Sequence, residues 1–259
     1  MPAELLIDSH AHLQDKAYRE DREEVIARAL AGGIEKIICV GYDLESSVET
    51  LELARTYPEI YAVVGVHPHD AKTLTPEGEE KLYEMARDPK VVAIGETGLD
   101  FYRDLSPRDV QRQAFVAQIR IAHELKKPIV IHDRDAHQPV MEIIKKENAG
   151  KNGGVIHCYS GGLPMAIEMI KQGFYLSFAG PVTFKNARRP AEVVANLPLE
   201  RLLVETDCPY LTPEPYRGRR NEPVHVREVA RKVADIRRKP LAEIAYLTNR
   251  NTREAFRIK

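Results

Sequence analysis

Histidines and acidic residues follow several short apolar runs of this chain, and the first run lies close to the N-terminus. His10 and His12 come just after the apolar residues 5–7 and are two positions apart. In an extended strand, residues i and i+2 point to the same face, so both imidazoles can reach one point. Imidazole nitrogens are typical ligands of Zn²⁺ and related divalent cations. An H-x-H pair alone is a weak signal, because unliganded histidines are common.

Other apolar runs lead into the same residue types. His132 and His157 each end a run, Glu96 and Asp207 closely follow two more, and His67 follows another in G-V-H-P-H (65–69). Each of these side chains lies at the carboxyl end of a predicted strand. Parallel strands would therefore bring them to one edge of a sheet or to one mouth of a barrel, where the active sites of barrel enzymes lie.

Eight apolar, β-branched runs alternate with amphipathic segments. Nearly continuous apolar runs are expected for parallel strands that are covered on both faces. The predicted strands lie at 5–9, 36–40, 61–66, 91–95, 129–132, 155–157, 174–178 and 202–205. The predicted helices lie at 19–31, 44–57, 76–87, 107–125, 138–148, 163–172, 187–196, 223–237 and 241–253. This alternation predicts the α/β class and a single-domain (β/α)8 TIM barrel over residues 1–259.

A doubly wound open sheet is the alternative fold. Such a sheet usually has fewer strands and a glycine-rich phosphate-binding turn after the first one. No G-x-G-x-x-G follows the first predicted strand here. The barrel is therefore the favoured interpretation.

Composition limits the partners and the compartment. Hydrophobic residues make up 43% of the 259 residues, and the formal net charge is −1. Bulk charge thus gives no argument for nucleic-acid binding, and none against an enzyme that contacts a few phosphates. No apolar stretch of about 18 residues predicts a membrane span, and Glu4 and Asp8 argue against a signal peptide. Three widely spaced cysteines fit a reducing compartment, so we expect a cytoplasmic protein, with its oligomeric state open.

Four imidazoles and two carboxylates form the predicted metal site: His10, His12, Glu96, His132, His157 and Asp207. Six such ligands are too many for one tetrahedral ion and suit two divalent cations. We expect His10 and His12 to bind one ion together with Asp207. His132 and His157 would bind the second, with Glu96 between the two. This ligand set suits Zn²⁺, Mn²⁺ or Fe²⁺, and Mg²⁺ where carboxylates and phosphate share the coordination.

With these residues laid out, the chain resembles the TatD family of metal-dependent deoxyribonucleases, within the amidohydrolase superfamily. The resemblance covers essentially the whole chain. It rests on D-S-H-A-H-L (8–13), G-V-H-P-H (65–69), G-E-T-G-L-D-F (95–101), I-H-D-R-D-A (131–136), I-H-C-Y-S-G (156–161), V-E-T-D-C-P-Y-L-T-P (204–213) and R-N-E-P (220–223).

The resemblance implies a TIM-barrel hydrolase that uses divalent cations. The family's metal ligands carry over to the six residues above, its E-T-D glutamate to Glu205, and its G-x-H-P histidine to His67. Family members hydrolyse DNA, commonly as 3′–5′ exonucleases, so single-stranded DNA or a 3′ end is the expected substrate. Relatives act on other substrates, including D-aminoacyl-tRNA.

Further roles follow as hypotheses. Asp207 is the expected general base, and Glu205 would point away from the metals and position Asp207 or a substrate hydroxyl. His67 would either donate to a phosphate oxygen or have a structural role beside Pro68. Arg134 lies two residues after His132 and would either clamp a phosphate or pair with a carboxylate. Basic and aromatic residues predicted at the rim of the mouth could hold a strand: Lys185, Arg188, Arg189, Arg217, Arg219, Arg220, Tyr159, Phe184, Tyr210 and Tyr216.

Three other functions compete with this one. A hydrolase on the same scaffold could act on an ester, amide or lactone, although the rim arginines argue against it. A non-catalytic protein on a degenerate barrel would be expected to have lost ligands, which this chain keeps. A structural partner in a repair or degradation complex is neither indicated nor excluded by the sequence.

Overall fold

Eight parallel strands form a barrel in the computed structural model, which describes residues 4–259. Neighbouring strands pair in chain order from first to last. The strands are β1 (Leu6–Ala11), β2 (Ile34–Val40), β3 (Ile60–Val64), β4 (Val91–Asp100), β5 (Ile129–Arg134), β6 (Gly154–Ile156), β7 (Phe174–Phe178) and β8 (Leu202–Val204). The predicted (β/α)8 fold class is confirmed. Residues 1–3 of the predicted 1–259 domain lie outside the described residues.

Within the described residues, nine α-helices cover the barrel or follow its last strand. They are α1 (Arg22–Ala31), α2 (Leu44–Thr56), α3 (Pro76–Ala86), α4 (Arg108–Glu124), α5 (His137–Glu147), α6 (Leu163–Lys171), α7 (Arg188–Asn196), α8 (Val226–Arg237) and α9 (Leu241–Phe256). The start of α2 shows why a helix begins where it does. The Asp43 carboxylate accepts the Ser46 N–H at 2.7 Å, and the Ser46 hydroxyl accepts the Asp43 N–H. This capping box satisfies two N–H groups that the helix itself leaves unpaired.

The strands have two apolar faces, as parallel barrel strands must. On β2, Ile38 and Val40 point into the barrel and join one buried cluster, whereas Ile37 and Cys39 pack against the helices in another. The end of α9 closes one end of the barrel, since Ala255 and Phe256 belong to the interior cluster. The predicted metal ligands lie at the opposite end, where the strands terminate. Among the described residues, no helix is long and apolar enough to cross a membrane.

Two strands carry a one-residue bulge at the positions that matter for the site. Between Asp8 and Ala11, β1 advances three residues while β2 advances two. Between Ile94 and Thr97, β4 advances three residues while β5 advances two. A bulge re-aims the side chains that follow it. The predicted ends of β1 at residue 9 and of β4 at residue 95 were therefore wrong, because both strands continue beyond the bulge to Ala11 and Asp100.

The seam between β8 and β1 is held differently from the other strand pairs. Within residues 4–259 it contains one isolated backbone bridge, between Ala11 and Cys208, instead of a ladder. Side chains complete it. The Asp8 carboxylate accepts the Thr206 N–H at 2.9 Å and the Thr206 hydroxyl, and the Ser9 hydroxyl donates to the Val204 carbonyl at 2.9 Å. The seam thereby fixes the first and last strands in register with each other.

Candidate metal centre

The first group of ligands comes from the two sides of the seam. The Nε2 atoms of His10 and His12 lie 3.3 Å apart, and Asp207 Oδ1 lies 3.3 Å from His12 Nε2 and 3.8 Å from His10 Nε2. His12 Nδ1 donates to the Val40 carbonyl at 2.7 Å. That bond fixes the neutral tautomer and leaves the Nε2 lone pair facing the site, as a metal-binding imidazole requires. The Asp207 N–H in turn donates to the His10 carbonyl at 2.9 Å.

The second group comes from β5 and the end of β6. His132 Nδ1 lies 3.2 Å from His157 Nε2. Glu96 Oε1 lies 2.9 Å from His132 Nδ1 and 2.7 Å from His157 Nε2. On its other side, His132 Nε2 donates to Asp100 Oδ2 at 3.1 Å, which orients the ring.

Glu96 lies between the two groups, as the sequence predicted. Its second oxygen, Oε2, is 3.4 Å from His10 Nε2 and 3.9 Å from His12 Nε2. The bulge in β4 and the close packing of β4 on β5 place it there. A Cβ at Gly98, which has φ +135°, would overlap the His132 carbonyl oxygen, so this approach requires glycine.

The donor set fits divalent cations. Imidazole nitrogens face each other at 3.2–3.3 Å in both groups, with the buried Glu96 carboxylate between them; His10, His12 and His157 are buried and His132 is partly exposed. Facing lone pairs repel unless a proton or a cation lies between them. Among the described residues, three groups of side chains have potential metal-binding atoms that all lie within 4.8 Å of the others in the same group. The groups are His10, His12 and Glu96; His10, His157 and Glu205; and His67, Glu96 and His132. Of the six predicted ligands, five fall in these groups, and Asp207 lies beside His12.

The carboxylates of the centre are ionised. Burial raises the pKa of Glu96, but the imidazoles of His157 and His67 outweigh this and hold it well below its usual range. Burial also acts on Asp207, and the neighbouring imidazoles, His12 first among them, lower its pKa below the ordinary value of 3.8. Both groups therefore present negative charge to a cation.

Glu205 lies behind the centre instead of in the mouth. It is fully buried; its Oε1 accepts the Cys158 N–H at 2.8 Å, and its Oε2 accepts the Ser177 hydroxyl. Its Oε1 is also 3.5 Å from His157 Nδ1, a buried atom without another partner. The side-chain contacts of Glu205 are thus with His157, Cys158 and Ser177, which makes His157 the residue that it can position; its predicted role towards Asp207 or a substrate hydroxyl stays a prediction.

His67 points into the site beside Glu96, with its Nε2 3.4 Å from Glu96 Oε1. The His69 N–H donates to His67 Nδ1 at 3.1 Å, so the neutral ring carries its proton on Nε2. Burial lowers the pKa of His67 to about 4, which keeps it neutral at pH 7. His67 therefore both begins the turn that contains Pro68 and directs an N–H donor, its Nε2–H, into the site.

Sequence reasoning missed Asp100 and His69. Asp100 Oδ2 accepts from His132 at 3.1 Å and from His69 Nε2 at 2.9 Å. Burial raises the pKa of Asp100, but the hydrogen bonds from His132, His69 and the Arg103 N–H outweigh this and lower the pKa below its ordinary value of 3.8, so Asp100 is ionised. The signal was present in the sequence, since G-E-T-G-L-D ends in this aspartate, but the predicted end of β4 at residue 95 left it in a loop.

Buried polar side chains from α4 brace the strands behind the site. Gln118 accepts the Val66 N–H at 2.8 Å and donates to the Val66 carbonyl at 2.9 Å. Its Nε2 also donates to the Thr97 hydroxyl at 2.8 Å. Gln118 therefore holds the residues next to His67 and Glu96 in place.

The predicted rim residues separate into paired and free side chains. Arg220 pairs with Asp21 at 2.6 Å, Arg217 covers the Phe184 ring, and Tyr216 stacks on His225. Tyr159 is buried, whereas Tyr210 is exposed and donates to Asp15 at 3.0 Å. Within residues 4–259, ion pairs are absent for Lys185, Arg188, Arg189, Arg219 and Arg134.

Comparison with known proteins places this geometry in a family. A sequence model described as "TatD related DNase" matches residues 7–257. The Bacillus subtilis protein named "Uncharacterized metal-dependent hydrolase YabD" is 48% identical over 254 residues, covering 98% of this chain and 100% of that protein. The Escherichia coli K12 "3'-5' ssDNA/RNA exonuclease TatD" is 37% identical over 261 residues, covering 98% and 99%.

A solved structure agrees in fold over the full length. The E. coli K12 protein described as YJJV, a TatD homolog, matches with a TM-score of 0.93 at 30% identity and covers 100% of both chains. The segment that the family model matches contains every residue of the His–carboxylate centre. The chain is therefore a metal-dependent hydrolase that belongs to the TatD-related DNase family.

Proposed function

We propose that the protein is a 3′–5′ exonuclease that hydrolyses the terminal phosphodiester of single-stranded DNA. The observation that carries this proposal is the convergence of four imidazoles and two carboxylates at the barrel mouth, with an unpaired guanidinium, Arg134, at its rim. Relatives at 35–38% identity that are named 3'-5' ssDNA/RNA exonuclease support the choice of substrate.

We assign the ligands to two divalent ions, Mg²⁺, Mn²⁺ or Zn²⁺. His10, His12 and Asp207 would hold one ion, His132 and His157 the other, with Glu96 shared between them. Such ions, when bound, polarise the phosphoryl group and lower the pKa of a coordinated water.

The chain's own residues then carry out positioning and proton transfer. Asp207 is ionised and lies at the open side of the His10–His12 pair, where it can accept a proton as general base. His67 is neutral with its proton on Nε2, so it can donate a hydrogen bond to a phosphate oxygen. Glu205 acts indirectly, by holding His157.

Release of mononucleotides from a 3′-labelled single-stranded oligonucleotide tests the proposal. The protein is stripped with a chelator and assayed after addition of Mg²⁺, Mn²⁺ or Zn²⁺, beside an RNA and a 5′-labelled substrate. We expect metal-dependent release that is abolished in His132→Ala and Asp207→Ala. His123→Ala on α4 and Asp235→Ala on α8 are matched controls outside the site and should retain activity.

A protein that binds metal but cuts none of these nucleic acids would refute the nuclease assignment. The hydrolytic centre would then be tested on D-aminoacyl-tRNA and on small esters and amides. Cleavage that persists in Asp207→Ala would refute the assigned general base.

A further inference from the structure

An aromatic side chain and a guanidinium form an exposed pair at the mouth of the barrel. Tyr102 is 62% exposed, in the loop after β4, and the Arg134 guanidinium lies 4.1 Å from the centre of its ring. Arg134 is the last residue of β5 and is itself exposed. Within residues 4–259, neither the Arg134 guanidinium nor the Tyr102 hydroxyl has an ion-pair or hydrogen-bond partner.

The loop that carries Tyr102 is held in place by its backbone. Asp100 Oδ1 accepts the N–H groups of Tyr102 at 3.0 Å and Arg103 at 2.8 Å. The Phe101 N–H donates to the Arg134 carbonyl at 2.9 Å, which continues the β4–β5 pairing into the loop. The tyrosine ring is therefore presented by an ordered turn, and little conformational entropy remains to be lost on binding.

The same carboxylate connects this loop to the metal centre. Asp100 uses Oδ1 for the loop and Oδ2 for His132 and His69. Arg134 follows His132 by two residues, which is about 6.6 Å along the strand and on the scale of one nucleotide. The pair thus lies one step outside the position where a bond would be cut.

Arg134 differs from the rim arginines Arg217 and Arg220 in its charge environment. Arg220 is neutralised by Asp21 and Glu222, and Arg217 has Glu214 within 3.9 Å. A guanidinium without a carboxylate, next to an exposed aromatic ring, suits a ligand that has both an anionic group and a flat apolar surface. A nucleotide has both, and bases of any sequence stack on aromatic side chains.

We propose that Tyr102 and Arg134 form a subsite for the penultimate nucleotide of the strand, with its base on the Tyr102 ring and its phosphate at Arg134. This inference rests on the proposed nuclease function and adds a binding position to it. The terminal nucleotide occupies the mouth, and the rest of the strand leaves across the β4–β5 rim. The subsite binds the face of the base and the charge of the phosphate, so it should not discriminate between bases.

A double-mutant cycle between protein and substrate tests the subsite. The wild type and Tyr102→Ala are assayed on a ten-nucleotide single strand and on the same strand with the penultimate base removed. Because the base loses its stacking partner, we expect Tyr102→Ala to raise KM about tenfold on the intact strand, which corresponds to about 1.4 kcal/mol. The abasic strand should show a similar loss with the wild type and no further loss with Tyr102→Ala.

Matched variants separate stacking from damage to the fold. Tyr102→Phe keeps the ring and should behave as the wild type. Tyr246→Ala removes an equally exposed tyrosine, 66% exposed on α9, and should have no effect. Arg134→Ala should raise KM on both strands, because it removes the phosphate contact and not the base contact.

Two results would overturn the inference while leaving the nuclease function intact. One is an unchanged KM for Tyr102→Ala on the intact strand. The other is fully additive losses from Tyr102→Ala and base removal, which would show that the ring and the base do not touch. A wild type that cuts neither strand would refute the nuclease function and the subsite together.

Discussion

Replacing Glu205 by glutamine should weaken metal binding and leave the chemistry itself largely intact. The buried carboxylate contacts the Cys158 N–H, the Ser177 hydroxyl and, at 3.5 Å, His157 Nδ1. Glutamine has the same shape. Its amide oxygen can still accept the Cys158 N–H, and its amide nitrogen can donate to Ser177. The substitution therefore removes only the negative charge of Glu205 that faces His157.

The size of the effect follows from the role of that charge. A carboxylate behind a ligating imidazole fixes the ring and raises its basicity, and the loss of such a partner typically costs 10–100-fold in metal affinity or activity. The 3.5 Å separation is long for a hydrogen bond, so we expect the lower end, about tenfold, or roughly 1.4 kcal/mol.

Activity measured against the free metal concentration gives the required readout, with metal affinity from isothermal titration calorimetry. Glu205→Gln should shift the metal dependence about tenfold and recover a kcat near that of the wild type at saturating metal. Ser177→Ala, which removes another partner of the same carboxylate, should shift it less. Thermal unfolding of the metal-free proteins checks that the fold is retained.

One result would refute this reasoning. If Glu205→Gln binds metal as the wild type does but has lost its kcat at every metal concentration, Glu205 acts on the reaction directly. The assignment of Glu205 as a positioning residue would then be wrong.

Three other substitutions probe separate features. His67→Asn should lower kcat at least tenfold with little change in metal affinity, because the neutral Nε2 donor is lost; kinetics at several metal concentrations would show whether the two effects separate. Gln118→Ala should lower the free energy of unfolding by about 2–4 kcal/mol in urea denaturation, since it leaves both polar groups of buried Val66 unpaired. Arg220→Met should return the pKa of Asp21 from about 2 towards 3.8, as followed by NMR titration. The stability that this depressed pKa contributes is present above pH 3.8 and is lost as the pH falls towards 2, so the variant should lose less stability over that range. An unchanged Asp21 titration would exclude Arg220 as the cause.

The sequence predicted the barrel and the end of it at which the ligands lie, because the carboxyl ends of parallel strands meet at one end of a barrel. This can be inferred without knowing the register of the strands. Apolar runs marked the eight strands, and parallel order brings their carboxyl ends together. His10, Glu96, His132 and His157 meet at the mouth for that reason. Their predicted metal-ligand roles are still to be tested by metal binding.

The features that sequence reasoning missed depend on bulges and on strand direction. Side-chain alternation with period two cannot locate an extra residue, so the bulges in β1 and β4 were not predicted. Because the bulge in β4 was not predicted, the predicted strand ended too early, and Asp100 was not recognised as the partner of His132. The partners of Glu205, among them Ser177 on β7, follow from β8 packing on β7, a tertiary contact that no local pattern encodes.

The seam between β8 and β1 makes the hydrolytic centre a property of the finished chain. His10 and His12 are made early in synthesis, but Asp207 and the Thr206 groups that hold Asp8 come from a segment almost 200 residues later. A nascent or proteolysed chain that lacks β8 presents only part of the ligand set, with β1 unsupported on one side. The full set of predicted ligands therefore comes together only after β8 and the residues that follow it have docked on β1.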